Sequence, residues 1–387
     1  MPRASLPVTR FWLLLCAILA PLSALAETRL RVATYDVGLG RAGPGLLLAD
    51  LRAGTPKPDI AAVVAVIQAA RPDILLLNGF DHDLRGVALA AFRARLATGS
   101  EAIDYPFAFA PAQNAGVDSG LDLDGDGRLR GPRDALGWGA FRGQGAMALL
   151  SRFPIDPDAS HDFRDLRRTD PPEAWTPAEP GGVPFLDAAA RAAPPLPSRS
   201  HWDVAVRLPG GPLRVLASNP TPPLFDGPEG LNRRRNAAEI GFWTRYLDGA
   251  AFPDASGRPA RLEGPFVLLG NLNTDPADGA GDREAIAALL GHPALTDPRP
   301  ESAGAEAAAS GQDGGAPERD TARFGARGLR LDYALPSRDL AVLGAGVVWP
   351  APGAPLAEAI AAGPPHRLVW VDVVPPGAGN APGAADP

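Results

Sequence analysis

The sequence predicts a protein of the α/β class, in which strands and helices follow one another along the chain. Residues 30–39 alternate in polarity and predict a strand, residues 59–73 have the apolar spacing of an amphipathic helix, and residues 73–80 form a short apolar run typical of a buried strand. A strand, a helix and a strand at this spacing are typical of a βαβ unit. The apolar fraction of the chain, 45%, is ample for a core of that kind.

The later elements follow from the same kinds of pattern. They are a strand at 145–155, a hairpin at 202–220, a helix at 232–247, and strands at 265–271, 330–336 and 366–373. The hairpin turns at Pro209-Gly210-Gly211, where glycine supplies the backbone freedom that a tight turn needs. Residues 156–200 and 299–325 are rich in Pro, Ala, Gly and Asp, and we expect them to be loops.

The first 26 residues have the pattern of a secretory signal peptide. Arg3 and Arg10 are followed by an apolar segment at 11–25, and Ala24-Leu25-Ala26 is a small-residue cleavage pattern. An uncleaved N-terminal anchor is the alternative. The pattern predicts export to the periplasm or medium without a transmembrane anchor after cleavage. We expect one domain over residues 27–375 and a disordered tail over 376–387.

Cysteine content and charge narrow the function classes. Cys16 is the only cysteine and lies inside the predicted signal peptide, so the mature chain offers no disulfide and no cysteine metal site. The formal net charge is −7, and removing the two positive charges of the signal peptide changes it to −9. An acidic surface opposes binding of phosphate backbones without sequence preference. The charge therefore favours a small or neutral substrate.

Seven segments of the chain occur in an order that is typical of one family. They are LRVATYDV, RPDILLLNGFD, GQGAMALLSRFPI, LRVLASNPTPP, FVLLGNLNTDP, LRLDYALPS and PHRLVWVDV. With these segments the chain resembles the endonuclease/exonuclease/phosphatase superfamily over residues 29–374. The resemblance implies a four-layer α/β sandwich, with two packed mixed β-sheets flanked by helices. It also implies hydrolysis of a phosphomonoester or phosphodiester with a divalent metal, Mg²⁺ or Mn²⁺.

The chain departs from the family pattern at several positions that the resemblance assigns to the site. Asp36 stands where the family has an asparagine on the first strand, and Gly79 stands where it has a metal-binding glutamate. The family's hairpin histidine corresponds to Asn219, and the aspartate after the LLG strand corresponds to Asn271. Pro365 replaces the last carboxylate. An amide can orient a phosphate oxygen or a water, but it cannot act as a base.

Other site positions keep the family residue, or have a charge nearby that could replace a lost one. Asn273, Asp332 and His366 match the family pattern, and Asp81 follows the second strand closely. We therefore expect a divalent ion near Asp36, Asp81 and Asp332. The expected catalytic residues are His366 for proton transfer, together with Asp332, Asn219, Asn271 and Asn273.

Two interpretations of the altered positions stay open. In the first, the chain is a metal-dependent phosphoesterase whose charges have moved, and its substrate is a small phosphate ester rather than bulk nucleic acid. In the second, it is a weakened or inactive homologue that acts as an exported, calcium-stabilised binding or structural protein. The loss of formal charge where a divalent cation needs it is the argument for the second interpretation. The carboxylates of Asp36 and Asp81 and the retained Asp332 and His366 are the argument for the first, which we take as the predicted function.

A separate acidic loop predicts a calcium site. Asp122, Asp124 and Asp126 alternate and are followed by Gly127, as in the first half of a calcium-binding loop. The bidentate glutamate of an EF-hand is missing, because Arg133 occupies position twelve. The loop therefore predicts a structural Ca²⁺, with a plain Asp/Gly turn as the alternative.

Three consecutive arginines open the helix that follows Asn219. Arginines next to a phosphate site are good anion ligands, and the N-terminus of a helix also favours an anion. We expect Arg233 and Arg235 to bind phosphate, with a solvated helix face as the alternative.

Overall fold

The structure of the protein is a computed structural model that describes residues 29–167, 190, 194–227, 229–311 and 314–377. The predicted signal peptide lies outside the described residues, and so does the predicted tail from residue 378 onward. No helix of the described ranges is both long and apolar enough to span a membrane.

The described residues contain seven α-helices and fifteen strands. The helices are α1 (Leu46–Arg52), α2 (Pro58–Ala70), α3 (Val87–Leu96), α4 (Leu231–Leu247), α5 (Arg283–Leu290), α6 (Ala303–Ala308) and α7 (Ala357–Ala362). The strands up to the hairpin are β1 (Leu30–Leu39), β2 (Ile74–Phe80), β3 (Phe107–Phe109), β4 (Ala146–Ser151), β5 (Ile155–Asp162), β6 (His201–Leu208) and β7 (Gly211–Ser218). The remaining strands are β8 (Phe252–Pro253), β9 (Pro259–Ala260), β10 (Phe266–Asn271), β11 (Ala322–Phe324), β12 (Arg327–Leu329), β13 (Asp332–Pro336), β14 (Val342–Val347) and β15 (Val369–Val373).

Two mixed sheets form the centre of the fold. The six-stranded sheet has the order β14-β15-β1-β2-β4-β3, and the five-stranded sheet has the order β13-β10-β7-β6-β5. One parallel pair lies in each sheet, β1 with β2 and β7 with β10. The two sheets pack against each other through β1, β10 and β13, and helices cover their outer faces. The predicted four-layer α/β sandwich is therefore confirmed.

Alternation along β10 and β13 determines which side chains enter the layer between the sheets. On β10, Val267 and Leu269 belong to the inner core, whereas Leu268 packs outward against the helices. On β13, Ala334 is in the inner core and Tyr333 is in the outer one. Successive side chains of a strand point to opposite faces. The polar residues that end β10 and begin β13 therefore also face the inner layer.

Two of the segments predicted to be loops contain regular structure. Residues 156–200 include most of β5, and residues 299–325 include α6 and β11. The sequence of β5, IDPDASHD, has the Pro and Asp content of a loop. Because β5 is an edge strand, a proline without an N–H group and the exposed side chain of Asp158 are tolerated there.

Candidate active site

The central pair of the site is formed by two neighbouring strand residues. Asn271, the last residue of β10, is paired in register with Asp332, the first residue of β13. Both side chains are buried, with exposed fractions of 3% and 0%. The fold therefore places an amide and a carboxylate side by side at one end of the inner layer, which we call the mouth.

Asp332 holds His366. Its Oδ2 atom lies 2.8 Å from the Nδ1 atom of His366 and accepts a hydrogen bond from the Thr321 hydroxyl at 2.9 Å. Burial alone would lower the pKa of His366, but the carboxylates of Asp332 and Asp36 raise it to about 9. Burial raises the pKa of Asp332, and the positive charge of His366 opposes that rise. A pKa of about 9 keeps the imidazole of His366 protonated next to Asp332 at neutral pH.

Asp36 completes the row of acidic and amide side chains from the other sheet. Its Oδ2 atom accepts a 2.9 Å hydrogen bond from Asn271, so β1 and β10 are joined across the inner layer. A Cβ atom added to Gly79 would stand 2.4 Å from the Oδ1 atom of Asp36, and Gly79 has a φ of +67°. Asp36 therefore occupies the space that a side chain at position 79 would need.

The loop after β10 brings two further amides together. Asn273 has a φ of +56°, which an asparagine tolerates better than most residues. Its backbone N–H donates to the side chain of Asn271 at 2.9 Å, and its side-chain amide donates to Asn219 at 3.4 Å and to the Pro220 carbonyl at 2.8 Å. The predicted residues Asn219, Asn271 and Asn273 are thus one hydrogen-bonded group.

Sequence analysis missed two residues of the mouth. Arg199 donates from Nε to the Gly145 carbonyl at 3.0 Å, and burial lowers its pKa, whereas the charges of Glu239 and Asp36 raise it. The ring of Phe324 stands edge-on to His366 with a centroid separation of 5.6 Å. Both lie in segments that we had predicted to be loops, where sequence periodicity gives no signal. The position of Arg199 directly before the hairpin was the available clue.

Asp81 and Asp83 have roles outside the mouth. The carboxylate of Asp81 accepts hydrogen bonds from the backbone N–H groups of Gly145 and Arg41, at 2.9 Å and 2.8 Å. The carboxylate of Asp83 accepts hydrogen bonds from N–H groups at the start of α3. Asp81 also forms no close three-ligand group with Asp36 and Asp332 in the described part of the chain. The structure thus gives Asp81 a different role from the predicted metal ligand, namely to fix the loops that line the mouth.

The two arginines that we expected to bind phosphate lie in different environments. The guanidinium of Arg235 is buried and donates to the carbonyls of Leu196, Leu136 and Pro195, so its hydrogen bonds stabilise the core beneath the mouth. Arg233 is exposed at the first turn of α4. Of the predicted pair, only Arg233 is placed so that an anion could reach it.

The acidic loop brings its three aspartates together. Asp122, Asp124 and Asp126 each offer an oxygen within 4.8 Å of the others, the one such group in the described residues. The nearby carboxylates contribute to raising the pKa of Asp124, after burial as the main cause. Asp122 and Asp126 accept hydrogen bonds from loop N–H groups. The prediction of Ca²⁺ at this loop stays a prediction.

The oxygen atoms of the mouth suit a hard divalent cation. Asp36 supplies a carboxylate whose Oδ1 atom accepts only a 3.2 Å contact from the Gly38 N–H. Within the described residues, the buried oxygens Oδ1 of Asn78 and Oδ1 of Asp332 have no hydrogen-bond partner. Mg²⁺ is commonly held by one or two carboxylates, with water in the remaining positions. The residues present therefore fit one such ion.

Comparisons with known proteins agree with this architecture. Residues 33–355 match the model of the Endonuclease/Exonuclease/phosphatase family. An endonuclease/exonuclease/phosphatase from Beutenbergia cavernae is 19% identical, with a TM-score of 0.51 over 90% of this chain and 72% of that one. A 3′ phosphatase from Neisseria bound to a product DNA hairpin is 16% identical, with a TM-score of 0.43 over 89% and 99%. No curated protein matches the chain. At 19% identity the Beutenbergia cavernae structure supports the fold alone.

Proposed function

Because this chain belongs to the endonuclease/exonuclease/phosphatase family, we propose that it hydrolyses a phosphate ester at the mouth between its two sheets. The observation that carries the proposal is the convergence of Asp36, Asn271, Asp332 and His366 through hydrogen bonds of 2.8–2.9 Å and one register pair. These residues come from four distant parts of the sequence. Their arrangement brings charged groups and hydrogen-bonding groups together at the mouth.

Asp36 would hold the divalent ion, with the amide oxygens beside it. When bound, such an ion neutralises charge on the phosphoryl oxygens and makes a bound water a better nucleophile. The carboxylate reaches this place from β1 because Gly79 leaves the space open. Asp36 on β1 would thus supply the carboxylate that β2 lacks at Gly79.

His366 would supply and recover the proton. With a pKa of about 9 it carries a proton at neutral pH, and Asp332 fixes its ring through Nδ1. Hydrolysis forms a bond between water oxygen and phosphorus and breaks the bond between phosphorus and the alcohol oxygen. The imidazolium gives its proton to the departing alcohol oxygen, and the proton released by the attacking water restores it.

Arg199 and the amides would position the phosphoryl group. A guanidinium can donate two parallel hydrogen bonds to phosphate oxygens. Asn219 and Asn273 can donate or accept without changing charge. Positioning and electrostatics account for most of the catalysis of phosphoryl transfer, so a site with fewer carboxylates can still act. We propose a small phosphate ester as substrate, in line with the acidic net charge.

A structural Ca²⁺ at Asp122, Asp124 and Asp126 is a second proposal, and it is separate from catalysis. Its support is that these three carboxylates approach one another within 4.8 Å. Three negative groups at this separation repel one another unless a cation neutralises them. The ion would stabilise the loop that precedes β4. Export of the protein is also a proposal, and calcium binding of this kind is consistent with it.

The experiment that tests the catalytic proposal is hydrolysis of bis-p-nitrophenyl phosphate and p-nitrophenyl phosphate with Mg²⁺, Mn²⁺ or Ca²⁺. We expect chelator-sensitive turnover that falls by at least about 100-fold in His366→Ala. His161→Ala is the matched control, because His161 also pairs with a carboxylate, Asp254, at 2.9 Å but lies outside the mouth. Equal rates in all three proteins would remove the catalytic role proposed for His366, and no turnover in the wild type would favour the inactive, calcium-stabilised alternative.

A further inference from the structure

The first half of α4 buries polar side chains, whereas its second half buries apolar ones. Asn236 and Glu239 are one turn apart and fully buried, and Ile240 and Trp243 continue the buried part of the helix. A buried carboxylate is costly unless hydrogen bonds or an opposite charge compensate for it. The partners of Glu239 therefore indicate its role.

Glu239 holds the chain on both sides of the β6–β7 hairpin. Its Oε1 atom accepts a hydrogen bond from the Ser198 N–H at 2.5 Å, and its Oε2 atom accepts one from the Thr221 N–H at 2.7 Å. The Ser198 hydroxyl also donates to the Asn219 carbonyl at 3.5 Å. Ser198 directly precedes Arg199 in the sequence. One carboxylate thus fixes the backbone next to two residues of the mouth, Arg199 and Asn219.

Asn236 extends this support to the loop after β10. Its side-chain amide donates to the Thr221 carbonyl at 2.8 Å and to the Leu272 carbonyl at 3.0 Å. Its side-chain oxygen accepts a hydrogen bond from the Thr274 hydroxyl at 2.5 Å. Leu272 and Thr274 are the two neighbours of Asn273 in the sequence. The same helix face therefore supports both loops that carry the amides of the mouth.

The guanidinium of Arg199 is anchored at one of its three nitrogens. Its Nε atom donates to the Gly145 carbonyl at 3.0 Å, and its two terminal nitrogens have no hydrogen-bond partner among the residues that the structure describes. The side chain is partly exposed, so a ligand can reach it. Two parallel N–H groups of a guanidinium match two oxygens of one phosphoryl group. The direction of this guanidinium therefore decides whether a phosphate in the mouth can bind to it.

The charge of Glu239 opposes an anion in the mouth, whereas its hydrogen bonds would favour one. Its carboxylate is close enough to Arg199 to raise the pKa of that guanidinium against the effect of burial. A carboxylate at this position also repels the negative charge of a phosphate. An effect of Glu239 through geometry and an effect through charge therefore have opposite signs, which makes them separable.

We propose that Glu239 is a positioning residue, which directs the Arg199 guanidinium and the Asn219 amide toward the phosphoryl group through the two backbone segments that it holds. The inference rests on the proposed function, which assigns phosphoryl oxygens to these donors. Because Glu239 is fully buried, it acts through its neighbours and does not touch the substrate. A displacement of about 1 Å in a positioning group can reduce a rate by about 100-fold.

Calorimetric titration with orthophosphate in the presence of Mg²⁺ tests the positioning role. Glu239→Gln keeps the size of the side chain but turns an amide NH₂ group toward one of the two backbone N–H groups. We expect this variant to bind orthophosphate at least about tenfold more weakly than the wild type, because Arg199 and Asn219 are displaced. If Glu239 acted by charge alone, the loss of its negative charge would strengthen the binding of the anion instead.

Asp203→Asn is the matched control, because Asp203 is an equally buried carboxylate that accepts hydrogen bonds from Arg214 and Tyr246, each at 2.7 Å. This variant should have a lower melting temperature and wild-type affinity for orthophosphate. In an Arg199→Ala background, Glu239→Gln should weaken orthophosphate binding by at most a further factor of about three, since residues that act together have non-additive effects.

The outcomes separate this inference from the proposed function. The positioning role would be overturned by a wild type that does not bind orthophosphate, by unchanged or stronger binding in Glu239→Gln, by an equal loss in Asp203→Asn, or by a full tenfold loss in the Arg199→Ala background. Hydrolysis of bis-p-nitrophenyl phosphate at the wild-type rate by Glu239→Gln would also overturn it and leave the proposed function standing. The expected pattern of orthophosphate binding without turnover in the wild type would overturn the proposed function and leave the positioning role standing.

Discussion

Two buried histidines show how different the mouth is from the core beside it. His201, at the start of β6, is fully buried, stacks on Phe242 at 4.9 Å and bonds to a serine hydroxyl, and burial lowers its pKa to about 3. His366 is nearly as buried, but carboxylates surround it and raise its pKa to about 9. Burial alone therefore does not fix the charge of an imidazole. The neighbouring carboxylates make one histidine a cation and leave the other neutral.

The largest expected effect is on activity. His366→Gln should reduce kcat/KM for a phosphate ester by about 10²–10⁴-fold, because the proton donor is lost, and should also lower the melting temperature, because Asp332 loses its buried partner. His201→Gln should affect stability alone, since it disturbs a packed aromatic core at a cost of about 3 kcal/mol in unfolding free energy. Parallel rate assays and urea titrations measure both quantities. Wild-type activity in His366→Gln would show that His366 is not the proton donor.

The pH dependence of stability should show both histidines. The pKa of His366 rises on folding from 6.5 to about 9, so its contribution is complete below pH 6.5 and is lost as the pH rises through 9. A shift of this size corresponds to about 3 kcal/mol. His201 is neutral when folded, so its contribution is lost as the pH falls from 6.5 toward 3. Urea midpoints between pH 4 and 10 should fall at both limits, and His366→Gln should flatten only the alkaline limb.

Moving the carboxylate from β1 to β2 tests whether Asp36 is a ligand of the divalent ion. Asp36→Ala should weaken Mn²⁺ or Mg²⁺ binding by about 100-fold, since a ligand is removed. Gly79→Asp added to that variant should restore part of the affinity, because position 79 shares the same space and aspartate tolerates a positive φ. Titration calorimetry measures the affinity directly. Unchanged binding in Asp36→Ala would mean that the ion is held elsewhere.

The smallest expected effect concerns the acidic loop. Saturating Ca²⁺ should raise the melting temperature by about 2–4 °C through preferential binding to the folded chain. Asp124→Asn should remove most of this rise, because one of three converging carboxylates becomes neutral. Hydrolysis at the mouth should not change in that variant. A chelator that leaves both melting temperatures alike would show that the loop is a plain turn.

The fold could be predicted well because its evidence lies in the order of local segments. β1, α2, β2, the β6–β7 hairpin and α4 all appear within a few residues of the predicted bounds. Edge strand β5 was missed because an edge tolerates proline and exposed polar residues, so its sequence has the composition of a loop.

The site could be predicted only in part, because proximity in sequence is not proximity in space. Asn271, Asp332 and His366 were found, since each ends or precedes a recognisable strand. Asp81 follows a strand equally closely, but backbone N–H groups use both of its oxygens. Arg199 had no periodic signal. Asp36 occupies the space that a side chain at position 79 would need, and this depends on a backbone conformation that the sequence does not show.

Asp332 connects the parts of the mouth, because it pairs with Asn271 in register and holds the His366 ring. The most direct test is therefore kcat/KM for bis-p-nitrophenyl phosphate, measured with Mg²⁺ for the wild type and for Asp332→Asn. The substitution keeps the shape of the side chain and removes its charge. We predict metal-dependent turnover in the wild type and a loss of at least about 100-fold in the variant. Equal values for the two proteins, or no turnover in the wild type, would contradict the account.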